Sequence, residues 1–356
     1  SAMSGERPEG NEAAAEPTQA WVDDEGRPTP EFLQRLERVR HRVRSDIFPE
    51  QWGARGVHRM DLWQLPQTGR DIDRVHYQAL GVEDFEQKYE IPSRPLVLQG
   101  IREDFFDSTQ WTFEALKEAF GHCRLHVGDD DNGKSVRMPF SAFLLYLSAQ
   151  KDDSPLYLFD DDFGERVESS VLVKTYSVPP FFQEDIFEQS PEDKRPPYRW
   201  LLVGPKRSGT SLHKDPLGTS AWNLVLHGAK WWVCFPPHID KQRLDPKLAD
   251  EEAITWFLDY LPTLREEFKG EGMIEFVQYE GETVFVPGMW WHAVLNLEDT
   301  IAVAQNYAST ANWPVVWTKT RRSRRKLART LLSTLDKTRP DLAAVAREIG
   351  EPELVV

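Results

Sequence analysis

Short apolar runs, each closed by glycine, proline or asparagine, recur through the middle of the chain. Such a run, bounded by turn-forming residues, is typical of a β-strand, and many of them in succession favour a barrel or a jelly roll. The pattern predicts strands at 96–98, 135–138, 156–159, 200–203, 231–235, 283–286 and 301–307. We therefore expect a mainly β core.

Apolar residues at helical spacing predict helices that flank this core. An N-terminal helix should pack on the barrel with its arginines facing water, through Phe32, Leu33, Leu36, Val39 and Val43. Another helix is expected at 113–120, and a charged, helix-like insert at about 240–272 should separate the two halves of the barrel. Near the C-terminus, a helix is predicted by Leu327, Leu331, Leu332 and Leu335, with a further one at 341–349. These last helices should cover the barrel; the alternative is that they support dimerisation into a homo-oligomer.

The organisation along the chain follows from these patterns. Ser1, Ala2 and Met3 resemble a vector remnant, and the segment through residue 28 is rich in Glu, Ala, Gly and Pro without apolar periodicity. We expect 1–28 to be a disordered tail. A helical region at 29–94, a barrel or jelly-roll domain at 95–312 and C-terminal helices at 313–356 complete the prediction.

Composition narrows the class of protein. The chain has 356 residues, 40% of them hydrophobic, and no apolar run of the length that a membrane span needs, so we expect a soluble protein without a membrane partner. Two cysteines do not form a disulfide framework, and they fit a reducing, intracellular compartment.

The net charge of −15 disfavours nucleic acid over most of the surface and favours basic peptide partners. A local exception is the run TRRSRRK at 320–326. It fits a nuclear-localisation or RNA-contact patch and, equally well, a solvated helical face.

One set of residues carries candidate chemistry: His213, Asp215 and the distant His292. Two imidazoles and one carboxylate can hold one face of an octahedral Fe(II) and leave the other face open. In a strand, residues i and i+2 project to the same side, so His213 and Asp215 can grip one metal while Lys214 points away. A surface His-x-Asp is the alternative.

Two further residues raise the specificity of this motif. Thr210 precedes the first histidine by three positions, and Lys230 begins the next apolar run. A dicarboxylate co-substrate needs a cation at its far end and hydroxyl or amide donors beside it. Together these elements predict a non-haem iron site with an adjacent carboxylate pocket.

The residues around the motif make the chain recognisable. The stretches GTSLHKDPLGTSAWN at 209–223 and GETVFVPG at 281–288 resemble the Jumonji-C (JmjC) oxygenases. Matches at 152–157, 195–200, 252–257 and 312–317 make it similar to the subfamily of arginine demethylases and lysyl hydroxylases, and the resemblance runs from about residue 32 to 342. It implies a double-stranded β-helix, the jelly-roll or cupin-like barrel of that family.

The resemblance also implies roles for single residues. His213, Asp215 and His292 would bind Fe(II), Thr210 and Lys230 would hold the distal carboxylate of 2-oxoglutarate, and O2 would be the second co-substrate. Asn223 and Asn306 would line the co-substrate pocket. The chain departs from the subfamily at Ala304, where a threonine is expected, so one polar contact is predicted to be missing.

What the resemblance implies about function is a 2-oxoglutarate- and Fe(II)-dependent protein oxygenase in the nucleus, with the cytoplasm as a second location. Hydroxylation of lysine in Arg/Lys/Ser-rich proteins is the first expected reaction, and arginine or lysine demethylation of proteins such as histones is the second. A tRNA-modifying hydroxylase is disfavoured by the acidic balance. From another class, a non-catalytic module that binds peptide or RNA remains the alternative.

Overall fold

Two β-sheets form the centre of the protein in this computed structural model, which describes residues 21–66, 72–191, 194–244 and 252–352. The strands are β1 Asp73–His76, β2 Leu96–Gln99, β3 Arg124–Asp129, β4 Ser135–Pro139, β5 Leu158–Asp160, β6 Arg199–Gly204, β7 Gly209–His213, β8 Ser220–His227, β9 Lys230–Phe235, β10 Ile274–Gln278, β11 Thr283–Val286, β12 Trp291–Asn296 and β13 Thr300–Tyr307. The large sheet has the order β1-β2-β11-β8-β13-β6-β5, and the small sheet has the order β10-β9-β12-β7. Strands β3 and β4 form a separate hairpin.

Helices cover the outer faces of both sheets. The α-helices are α1 Pro30–Val43, α2 Val82–Phe85, α3 Ile101–Phe105, α4 Phe113–Phe120, α5 Phe140–Ala149, α6 Lys241–Leu244, α7 Ala253–Thr255, α8 Leu261–Glu267, α9 Trp313–Ser323, α10 Arg325–Thr338 and α11 Pro340–Ile349. Single π-turns lie at Glu86–Glu90 and Trp256–Tyr260. Short 3-10 turns lie at Pro49–Gln51, Val57–Arg59, Leu62–Gln64, Tyr77–Ala79, Ser108–Gln110, Ser170–Thr175, Pro180–Phe182, Ile186–Gln189 and Pro216–Gly218. No helix within the described ranges has the length and apolar character needed to cross a membrane.

The two sheets pack face to face and enclose an apolar interior. Trp232 and Cys234 of β9 contact Val284 and Val286 of β11 in one buried cluster. Because side chains alternate along a strand, the intervening residues point outward and meet the helices. Trp222 and Phe285 of the large sheet pack against the N-terminal helices, and this arrangement confirms the mainly β, jelly-roll fold with flanking helices.

The insert and the C-terminal helices are held by separate cores. Trp256 and Leu261 pack on Trp231 and Phe235, so the insert covers the outer face of the small sheet. Helices α9, α10 and α11 share their own core, in which the four predicted leucines are buried with Trp313 and Trp317. These leucines therefore serve packing within one chain.

All seven predicted strands are present, with small shifts of their ends. Strand β11 and helix α4 have the predicted bounds, whereas β5 begins at Leu158, two residues later than expected. The region 29–94 was expected to be helical, but it also contains β1, which extends the large sheet by pairing in parallel with β2. Four residues with mixed exposure carry too little alternation to be recognised as a strand.

The N-terminal region differs from the expectation in two further ways. The vector-like residues lie outside the described residues, as does the tail through residue 20. Residues 21–28, expected to be disordered, instead form a turn closed by a bridge between Val22 and Pro28. The prediction that the arginines of α1 face water is wrong for Arg40, which is largely buried and pairs with Asp152 at 2.5 Å. Arg44, the residue directly after α1, is also half-buried and pairs with Glu252.

Candidate metal centre and co-substrate pocket

The two histidines of the motif meet across one pair of strands in the small sheet. His213 is the last residue of β7 and the register partner of His292 on β12. Their ring centroids lie 4.1 Å apart. Antiparallel partners place their side chains on the same face, so pairing of distant segments builds two thirds of the ligand set.

Asp215 completes the set from just beyond the strand. Strand β7 ends at His213, but the backbone of Asp215 is still extended, with φ −59° and ψ 146°, before the turn Pro216–Gly218. The potential ligand atoms of His213, Asp215 and His292 all lie within 4.8 Å of one another. Lys214 points away, as predicted, and donates to the carbonyl of Pro237.

Backbone carbonyls fix both imidazole rings. Nδ1 of His213 lies 2.8 Å from the carbonyl oxygen of Ser211, and Nδ1 of His292 lies 3.2 Å from that of Trp290. Because a carbonyl only accepts hydrogen bonds, each Nδ1 carries the proton and each Nε2 keeps a free lone pair. Burial, with His213 alongside, lowers the pKa of His292 to about 4. The ring is therefore neutral at physiological pH, which is the form that binds metals.

The side chains fit a divalent metal. Oδ2 of Asp215 is buried and has no hydrogen-bond partner in the described part of the chain. A buried carboxylate oxygen without a partner is costly, and a cation removes that cost. Two nitrogen ligands and one oxygen ligand on one side of the ion match the iron preference of this set. His213 and Asp215 are half-buried, so solvent and ligands reach the site at this end of the barrel, which we call the barrel mouth.

A β-bulge brings Thr210 to the same interior. In a regular strand, residues 210 and 213 would face opposite sides. The register between β12 and β7 shifts between His292 and Val294, so that Thr210 pairs with Val294. Val294 belongs to the interior cluster, and Thr210 therefore faces inward beside the metal site.

Lys230 lies at the start of β9, fully buried. Its ammonium donates to the hydroxyl of Tyr157 at 2.9 Å and to Oδ1 of Asn296 at 3.1 Å. Within the described residues, no carboxylate forms an ion pair with it, and burial lowers its pKa to about 7. A buried cation with only neutral partners is suited to receive the carboxylate of a ligand.

Tyr157 and Asn296 are parts of this pocket that the sequence did not reveal. Asn296 is the register partner of Lys230 across β9 and β12, and Tyr157 precedes β5 at the edge of the large sheet. Burial raises the pKa of Tyr157, so its hydroxyl keeps its proton and can donate to a carboxylate. In the sequence, Tyr157 belongs to the stretch 152–157, which resembles the subfamily but has no pattern that assigns a role to this residue.

Asn223 and Ala304 face each other across β8 and β13. Oδ1 of Asn223 is buried without a hydrogen-bond partner among the described residues. The missing polar contact predicted for Ala304 therefore coincides with an unsatisfied atom. Asn306 lies two residues nearer the mouth, where its amide donates to Thr219 at 2.9 Å.

Chemically, His213, Asp215 and His292 would hold a metal ion from one side, and Lys230 would receive the carboxylate of a co-substrate bound beside it. When bound, Fe(II) would let O2 oxidise a substrate C–H bond while 2-oxoglutarate is converted to succinate and CO2. The protein holds the rings, supplies the cation of Lys230 and keeps water out with packed side chains such as Trp232, which stacks on His292.

Comparison with known proteins shows the family of this chain. A family model described as "JmjC domain, hydroxylase" matches residues 200–307. A bifunctional arginine demethylase and lysyl-hydroxylase of Caenorhabditis elegans is 38% identical over 329 residues, which cover 90% of this chain and 82% of the relative. An arginine-specific demethylase of Arabidopsis thaliana is 37% identical over 75% of this chain and 51% of the relative. A 2-oxoglutarate and iron-dependent oxygenase of Gallus gallus is 25% identical over 79% of this chain and 65% of its own length.

The matched family region begins within β6 and ends with β13, so it includes all three ligands and Lys230. The likeness to the nematode protein extends far beyond this region, over most of both chains. The chain belongs to the JmjC family of iron- and 2-oxoglutarate-dependent oxygenases.

Proposed function

We propose that this oxygenase hydroxylates lysine side chains of Arg/Lys/Ser-rich nuclear proteins. The observation that carries the proposal is the likeness, over 90% of the chain, to a relative whose name includes lysyl-hydroxylase. The three candidate metal ligands lie close together, and the buried Lys230 has neutral hydrogen-bond partners. A module that only binds peptide or RNA needs neither feature, so both support an enzyme.

The charge of the protein supports a basic substrate. The chain has 58 acidic and 43 basic residues, so its field attracts peptides rich in lysine and arginine. Long-range attraction raises the rate of encounter more than it fixes the bound position. Selection of one side chain therefore requires contacts near the barrel mouth.

A cavity of about 280 Å³ offers such contacts beside Asn306. The protein's own Arg195 occupies part of it: its guanidinium stacks on the ring of Tyr198 at 3.5 Å and pairs with Asp185 at 2.7 Å. Aromatic faces and carboxylates are what a basic side chain needs. The aromatic and carboxylate groups of this cavity would therefore bind a basic residue next to the target lysine.

Arginine demethylation is the second candidate, because the plant relative is named as an arginine-specific demethylase and the nematode relative carries both activities in its name. The two reactions share the same site. Hydroxylation of an N-methyl carbon gives a product that loses formaldehyde, whereas a hydroxylated lysine carbon is stable.

The experiment is Fe(II)-dependent conversion of 2-oxoglutarate to succinate with an Arg/Lys/Ser-rich peptide, followed by peptide mass analysis. Addition of one oxygen atom to a lysine supports hydroxylation, and loss of a methylene from a methylated arginine supports demethylation. His213→Ala protein is the control. Wild-type protein that binds peptide but forms neither product would contradict both proposals.

Nuclear residence is part of the proposal and is supported by the basic run at 320–326. In the structure this run is not one helical face, because α9 ends at Ser323 and α10 begins at Arg325. Arg322, Arg324 and Lys326 are exposed around that break. Replacing these three by alanine should move a fluorescently tagged protein out of the nucleus; unchanged distribution would contradict this role.

A further inference from the structure

A second groove lies between α1 and the β3–β4 hairpin, on a side of the protein that shares no residue with the metal site. Its volume is about 310 Å³. Its apolar lining consists of Trp21, Phe32, Leu36, Val39, Met138, Pro139 and Ala142. A volume near the lower end of ligand sites fits one or two side chains.

The charge of this groove is opposite to that of the protein. Among the described residues its lining includes no aspartate or glutamate, but it includes Arg35, Arg38, Arg124 and Arg137. The whole chain carries a net charge of −15. Arginines without a carboxylate partner repel each other across the groove, and an anionic occupant relieves that repulsion.

Two of these four arginines have no ion pair with a carboxylate in the described part of the chain. Arg137 is engaged by Asp162 at 3.0 Å, and Arg35 lies over the ring of Trp21 and pairs with Glu31 at 3.7 Å. Arg38 and Arg124 are exposed and, within the described ranges, have no carboxylate partner. Arg124 donates to the backbone carbonyl of Arg137.

We propose that this groove, the arginine groove, binds an acidic peptide segment of a partner protein that carries one large apolar side chain. The apolar floor takes the side chain, and carboxylates on either side of it pair with Arg38 and Arg124. Phosphate backbones of nucleic acid would satisfy the arginines but leave the apolar floor without a matching group.

The chain's own N-terminal residues are a weaker match. Residues 1–20 precede Trp21 at the rim and contain four glutamates, so their charge is suitable. They contain no Leu, Ile, Val, Phe, Tyr or Trp, and Met3 is their one large apolar residue. They can compete for the arginines but cannot fill the floor as well as a partner with an aromatic anchor.

The test uses a short fluorescent peptide in which a central phenylalanine is flanked by glutamates, with fluorescence anisotropy as the readout. The test variant is Arg38→Glu with Arg124→Glu. The matched control is Arg59→Glu with Lys269→Glu, which makes the same change in net charge at exposed residues elsewhere. Circular dichroism and turnover of 2-oxoglutarate should be unchanged in both, since neither pair touches the metal site.

We expect the test variant to bind the peptide at least tenfold more weakly than the wild type and the control. Replacing the phenylalanine by serine should weaken binding to the wild type, and added salt should weaken it further. Equal binding by test and control variants would overturn the proposal. So would binding that appears only after residues 1–20 are removed, because the tail would then fill the groove, or a preference of the groove for single-stranded RNA over the peptide.

Discussion

The backbone N–H of Gly288 donates to the hydroxyl of Ser220 at 3.1 Å. Ser220 follows the segment of Asp215, and Gly288 precedes the segment of His292, so this bond joins two parts of the chain that carry metal ligands. Asn312, at the start of α9, donates to the same hydroxyl at 3.0 Å. The C-terminal helices are thereby connected to the metal site.

The fit at this junction is tight. A Cβ on Gly288 would lie 2.3 Å from the carbonyl oxygen of Gly218. Leu217 and Met289 beside it both have positive φ, 57° and 71°. Left-handed conformations of such residues cost free energy and persist only where surrounding contacts hold them.

We predict that Ser220→Ala weakens metal binding. The substitution leaves the N–H of Gly288 without an acceptor, which costs about 1–3 kcal/mol, and it frees the loop before His292; Asn312 keeps its bond to the carbonyl of Tyr307 at 3.3 Å. Mn(II) affinity, measured anaerobically by titration calorimetry, should fall about tenfold or more. Ser220→Thr keeps the hydroxyl and is the control; equal losses in both variants would indicate a packing effect instead.

Removal of a metal ligand should abolish the reaction. His213→Ala and Asp215→Ala each leave two ligands, too few to hold the metal firmly, and succinate formation should fall to background. Lys214→Ala, between them but pointing away, should retain most turnover. Succinate formation at the wild-type rate by the metal-depleted His213→Ala protein would refute the ligand assignment.

Binding of 2-oxoglutarate should depend on pH through Lys230, whose pKa burial lowers to about 7. The carboxylate favours the ammonium form, so affinity should fall as pH rises above 7, by up to about tenfold per unit. Binding should also take up a proton, which calorimetry in buffers of different ionisation heat detects. Lys230→Met should remove this dependence; a slope that survives in that variant would assign the proton to another group.

The lowered pKa of Lys230 changes the stability of the protein with pH in the opposite direction to its affinity for 2-oxoglutarate. The unfolded lysine, with its ordinary pKa of 10.5, holds its proton more tightly than the folded one. The protein without co-substrate should therefore gain stability as pH rises from about 7 towards 10.5. The difference in denaturation midpoint between wild type and Lys230→Met across this range measures the contribution.

We expect Ala304→Thr to strengthen 2-oxoglutarate binding. A threonine hydroxyl can reach the unsatisfied Oδ1 of Asn223 across the strand pair and fix the amide beside the pocket. One neutral hydrogen bond contributes about 0.5–1.5 kcal/mol, so KM for 2-oxoglutarate should fall between about two- and tenfold. Ala304→Val has the same shape without the hydroxyl and should give no gain. An equal gain in both variants would contradict the hydrogen bond.

The sequence alone determined the elements and the ligand types. Apolar runs with turn residues between them identify seven of the thirteen strands in the described residues, because a half-buried strand must alternate or be apolar throughout. His213 and Asp215 are close in the chain, so a local rule was enough to pair them. The apolar spacing of α10 likewise fixed which face is buried. In α1 it was right for Phe32 and Leu36, but Leu33, also predicted to pack, is 52% exposed because it lies about 100° around the helix from Phe32.

Only the tertiary structure decided how distant residues meet. The register of β7 with β12 sets His213 opposite His292, and the register of β9 with β12 sets Lys230 opposite Asn296. A bulge turns Thr210 inward, and burial makes Arg40 an interior ion pair instead of a surface charge. These relations join residues far apart in sequence, and they depend on strand pairing and on the exclusion of water, which no local pattern of residues specifies.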